Sequence, residues 1–63
     1  MTAPFDFEIH LHRADGTMAV MLRATATDDA DAGAQARALL HTGLSHAHIW
    51  RDGKHTGTVY AAD

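Results

Sequence analysis

The 63-residue chain has no cysteine, one proline, one tryptophan, one tyrosine and two phenylalanines. Without cysteine there is neither a disulfide nor a thiolate-metal staple, so a chain this small must draw its stability from packing or association. Large apolar side chains are scarce too. Alanine supplies 13 residues, whereas Leu, Ile, Val and Phe together number 11. A chain of roughly 60 residues buries only about 60% of the surface its unfolded form exposes, and a deep catalytic cleft in the monomer is not expected. No segment approaches the ~20 apolar residues of a membrane span, and Met1 to Phe7 has neither a basic start nor an apolar run. The expectation is one domain over residues 1–63, cytoplasmic and without membrane contact.

Positive charge is also in short supply. Five Lys and Arg face eight Asp and Glu, for a formal charge of -3. Arg13, Arg23, Arg37, Arg51 and Lys54 are scattered and form no basic stripe, which disfavours nucleic acid as a partner. Histidine is present in excess. Six imidazoles with ordinary pKa values near ~6.5 could reverse the sign of the net charge in mild acid.

Residues 5–12, FDFEIHLH, alternate strictly: Phe5, Phe7, Ile9 and Leu11 on one face, Asp6, Glu8, His10 and His12 on the other, as in a half-buried strand. Asp15-Gly16 predicts a two-residue type I′ turn. That turn sets Leu11 against Val20, Ile9 against Leu22 and Glu8 against Arg23, with a second strand over about 17–25. A three-residue loop would instead turn Ala19 and Met21 inward.

Thr27-Asp28-Asp29 opens a helix over about 28–41. Its acidic first turn suits the positive end of the dipole, and Ala32, Ala36, Leu39 and Leu40 form an apolar stripe. Gly43 reads as the left-handed residue closing that helix. A third strand over 46–51 and a fourth over 55–60 flank Asp52-Gly53. A three-residue loop of Arg51-Asp52-Gly53 would put Ala47 opposite Gly57 and Ile49 opposite His55.

The fold class is therefore α+β, with elements ββαββ and a four-stranded antiparallel sheet in the order 2-1-3-4. One helix covers the face made by Phe5, Phe7, Ile9, Leu11, Val20, Leu22, Ala47, Ile49 and Val59. The other face is left open. This layout, with DDADAGAQARALL between an alternating strand and HIWRDGK, resembles small uncharacterised bacterial single-domain proteins. Those families carry no assigned activity, so the resemblance implies architecture and no chemistry.

The open face should hold Met21, Arg23, Trp50 and Tyr60. Aromatic and Met-bearing patches of that kind are typical of interface cores. The principal functional reading is a non-catalytic interaction module that self-associates through the open face or a strand edge and carries no cofactor. The competing reading uses the two His-x-His motifs, His10/His12 and His46/His48. Residues i and i+2 of a strand share a face, so four imidazoles on adjacent strands could hold Zn, Ni or Cu. Polar-face positions that simply happen to be histidine are the plainer alternative.

Catalysis is not expected. Ser45 beside His46 should point to the opposite face, and no nucleophile elbow surrounds it. Glu8 and His10 would lie on an exposed sheet with nothing to shift their pKa values. No glycine-rich phosphate loop is present. Asp28, Asp29 and Asp31 read as a helix start rather than a calcium loop.

Overall fold

In the computed structural model, which describes residues 4–41 and 43–61, the elements run β1 (Phe5–His12), β2 (Met18–Ala26), α1 (Asp29–Leu39), β3 (His46–Arg51) and β4 (Lys54–Tyr60). Residues 1–3, 42, 62 and 63 of the expected domain lie outside the described residues. The strands form one antiparallel sheet in the order β2-β1-β3-β4. Among the described residues, no helix is long and apolar enough to cross a membrane.

The core lies where the alternation of β1 places it. Phe7, Ile9 and Leu11 are buried with Ala26, Ala32, Ala36, Ala47 and Ile49, and Phe5, Leu22, Ala24, Leu40, Leu44 and Val59 pack around them. Two expected members fall outside. Val20 is 48% exposed and Leu39, the last residue of the 11-residue α1, is 37% exposed. Ala26, not expected in the core, is 2% exposed opposite Phe5.

The two hairpin turns exchange the types expected of them. Gly16 N–H donates to the Arg13 carbonyl and Arg13 N–H to the Thr17 carbonyl, both at 2.9 Å. The loop is thus Ala14-Asp15-Gly16, with Gly16 at φ +90. Asp15 accounts for the choice: its carboxylate accepts from Thr17 N–H at 2.9 Å and from the Thr17 hydroxyl at 2.6 Å, an Asx arrangement that a type I′ turn at these residues would lose. The longer loop does not turn Met21 inward, because a bulge between Leu11 and His12 restores the register. Leu11 faces Val20, Ile9 faces Leu22 and Glu8 faces Arg23, as the sequence pattern required.

In the second hairpin Asp52 (φ 53) and Gly53 (φ 75) form a two-residue loop, and Arg51 pairs with Lys54. Positive φ at both positions is the type I′ signature. A bulge between Ile49 and Trp50 then sets Ile49 opposite Gly57, Ala47 opposite Val59 and Trp50 opposite His55. His55 is thereby moved from the expected core face to the open one.

Asp28 caps α1, its carboxylate accepting from Asp31 N–H at 2.7 Å, while Asp31 accepts from Thr27 N–H at 3.0 Å. The two bonds satisfy two donors at the helix start. The helix ends at Leu39, earlier than expected. Leu40 is extended, and Gly43 (φ 94) belongs to a following turn closed by Leu44 N–H on the His41 carbonyl at 2.9 Å. Leaving the helix there lets both Leu40 and Leu44 reach the core. Gln35 ties α1 to β2 through the Thr25 carbonyl at 2.8 Å. Arg51 ties the far side, 3.6 Å from Asp29 and 3.8 Å above the Phe5 ring.

Gly33 occupies the helix interior with nothing that requires glycine. A Cβ there would meet Val59 Cγ1 at 3.7 Å, an ordinary contact. Gly33→Ala should raise stability by about 0.5–1 kcal/mol, which thermal unfolding registers at about 4–8 °C per kcal/mol in a domain of this size. An unchanged or lower melting temperature would contradict this packing of α1 on β4.

Candidate functional site

The open face is a lattice of cross-strand rows. Arg23, Glu8, Trp50 and His55 form one, Met21, His10, His48 and Thr58 the next, and Met18, His12, His46 and Tyr60 the third. Five of the chain's six histidines therefore share this face. The sequence pattern placed four of them there, and His55 joins through the bulge in β4.

The rings do not gather as a tetrad. His48 lies opposite His10 in register, yet its ring leans diagonally and packs on His12 (centroids 4.9 Å) and His46 (5.0 Å), while His12 and His46 stack at 5.1 Å. His10 leans the other way. It stacks on Trp50 at 5.7 Å, and its Nε2 lies 3.2 Å from Glu8 Oε2. The four-histidine expectation thus resolves into a triad, His12, His46 and His48, with one ring nitrogen from each lying within 4.8 Å of the others. His10 is held by Glu8 and Trp50, because a strand side chain can lean along its strand toward either neighbouring row.

Each triad ring is tethered at Nδ1. His12 Nδ1 lies 3.1 Å from the Gly16 carbonyl, His46 Nδ1 3.2 Å from Ser45 Oγ, and His48 Nδ1 2.9 Å from Thr58 Oγ1. A carbonyl can only accept, so His12 carries its proton on Nδ1 and keeps the Nε2 lone pair free. Thr58 also lies 3.0 Å from His55 Nε2. One hydroxyl can accept from His48 and donate to His55, and in that arrangement His48 has the same tautomer as His12. Burial, followed by the neighbouring His12, His46, His55 and His10, holds the His48 pKa below its ordinary 6.5.

Ser45 does not point away from His46 as expected. It precedes β3, so strand alternation does not govern it, and its hydroxyl meets the His46 ring. Among the described residues the ring neighbours of His46 are imidazoles and Tyr60, with no carboxylate among them to orient a base as a catalytic triad requires. Glu8 accepts from His10 and from Arg23, the latter at 3.2 Å. Those contacts, led by the His10 hydrogen bond, pull its carboxyl below the ordinary value. A general acid needs the opposite shift.

The four expected interface residues are all on this face but dispersed. Met21 (56% exposed) and Tyr60 (66% exposed) lie near opposite edges. Trp50 sits between His10 and His55, and Arg23 pairs with Glu8. The histidines fill the space between them. At the β1 N-terminal end is a hollow of about 250 Å³ whose lining includes Asp6, Glu8, Arg23, Trp50 and Asp52. The indole Nε1 of Trp50 is buried without a hydrogen-bond partner among the described residues.

The face is therefore uneven along its strands, with the carboxylates of Asp6, Glu8 and Asp52 at one end, Glu8 paired with Arg23, and the imidazole triad at the other. Neither His55 nor the triad's separation from His10 could be read from the spacing alone. The only available signal was the chance of a bulge near Gly57. Comparison with protein families, curated proteins and solved structures finds no match to this chain, so the functional argument rests on this face.

Proposed function

We propose that the chain is a small, non-catalytic interaction module that pairs with a second copy of itself through the open sheet face. The observation that carries this reading is the polarity of that face. A two-fold axis lying in the interface and perpendicular to the strands would set the carboxylate end of each copy over the imidazole end of the other. Such an isologous contact satisfies both ends at once. The proportions support it: the molecule measures 39 × 23 × 15 Å, and its broad side can supply the ~800 Å² per partner of a standard interface. Trp50, Tyr60 and Met21 would provide the apolar and aromatic contact that interface cores favour.

Sedimentation velocity over a range of protein concentrations tests this reading. Wild-type protein should reach the dimer mass. Tyr60→Glu should shift it toward monomer, since Tyr60 is exposed and its replacement spares the core. Monomeric wild-type protein at every concentration would overturn the proposal.

A further inference from the structure

The paired His-x-His motifs have a second use, which does not depend on self-association. We infer that His12, His46 and His48 form a transition-metal site that binds Zn²⁺, or Cu²⁺ or Ni²⁺, through their three Nε2 atoms. Three observations converge on it. First, strand pairing puts His12 opposite His46, and the lean of His48 brings a ring nitrogen of each residue within 4.8 Å of the other two. Tetrahedral zinc with Zn–N near 2.0–2.1 Å needs nitrogens roughly 3.4 Å apart. Small rotations of partly exposed rings close that difference without moving the backbone.

Second, each ring has an oxygen at Nδ1: the Gly16 carbonyl, Ser45 Oγ and Thr58 Oγ1. Metal-binding histidines donate their second ring N–H to such oxygens, which fixes the tautomer and raises ligand basicity. A merely decorative set of surface imidazoles has no reason to share that arrangement. Third, the site selects among its neighbours. His10 is occupied by Glu8 and Trp50, and His55 Nε2 meets Thr58. Three imidazoles with a fourth position open to water form a recognised zinc arrangement, and imidazole is also a ligand for Cu²⁺ and Ni²⁺.

Isothermal titration of chelator-treated protein with Zn²⁺ alone tests the site. One equivalent should bind, and His12→Ala, His46→Ala and His48→Ala should each weaken binding at least about tenfold. His10→Ala and His55→Ala should leave the affinity within about twofold of wild type. Circular dichroism checks that each variant is folded. Nitrogen NMR of the wild-type imidazoles provides a readout that needs no variant: the Nε2 signals of His12, His46 and His48 should shift with Zn²⁺ while those of His10 and His55 stay put. A flat titration, or equal weakening by all five substitutions, would overturn the site. Titrating at a concentration where sedimentation finds monomer separates this result from the fate of the dimer.

Discussion

Phe7→Ala should leave much of the chain unfolded at 37 °C. Among the described residues Phe7 and Ile9 are the large side chains that are essentially fully buried, and the Phe7 ring lies 6.0 Å from that of Phe5. Truncating a buried Phe costs about 3–5 kcal/mol, through lost transfer free energy and the cavity left behind. Four of the eight core residues are alanine: Ala26, Ala32, Ala36 and Ala47 lie beside the larger Phe7, Ile9, Leu11 and Ile49. Alanine side chains are too short to move into the space a phenyl ring vacates. A core this small rarely supplies more than about 3–5 kcal/mol in total, so the loss is of the same size as the stability. Urea unfolding followed by circular dichroism measures it, with Phe7→Leu as the milder comparison. A native baseline for Phe7→Ala close to that of wild type would refute this account of the core.

Mild acid should destabilise the metal-free protein, and His48 sets where the decline begins. Burial first, then the neighbouring imidazoles, hold its pKa below 6.5 in the folded state. Below pH 6.5 the unfolded chain takes up a proton that the folded chain resists, so stability is full above that pH and falls as the pH drops toward the folded value. Two carboxyls extend the decline. Glu8, lowered from 4.5 chiefly by its His10 hydrogen bond, and Asp15, lowered from 3.8 by its Thr17 bonds, contribute stability that is present above those values and lost as the pH falls through their folded ones. The groups facing His48 from β1, β3 and β4 are His10, His12, His46, His55 and Thr58. Melting temperatures of chelated protein between about pH 8 and about pH 2, at a concentration that gives monomer, should fall in that order. His48→Asn should flatten the portion just below pH 6.5. An unchanged profile in that variant would show that the decline arises elsewhere.

The sandwich of one helix on one sheet face was legible because β1 alternates without exception, and only one register buries Phe7, Ile9 and Leu11 together. That register survived a wrong turn. The loop at Asp15 is one residue longer than Asp-Gly alone suggests, and a bulge beside His12 compensates, because exposing Leu22 and burying Met21 would cost more than distorting one ladder step. The Asp28 cap and the acidic first turn were equally legible, being local chemistry between residues three apart.

The site was legible as a set of residue types on a face and not as a geometry. Strand order brought His12 and His46 side by side, as the two His-x-His motifs implied. Whether His10 or His48 would join them depended on rings leaning along their strands, and that was decided by Glu8 and Trp50 on one side and Thr58 on the other. His55 reached the face only because a two-residue turn and a bulge changed the phase of β4. By itself the sequence determined the faces of β1, β2 and β3, the strand order and the helix start, since hydrophobic period and capping act between near neighbours in the chain. Only the tertiary structure decided which imidazoles converge, because ring directions are set by contacts between residues that are distant in sequence.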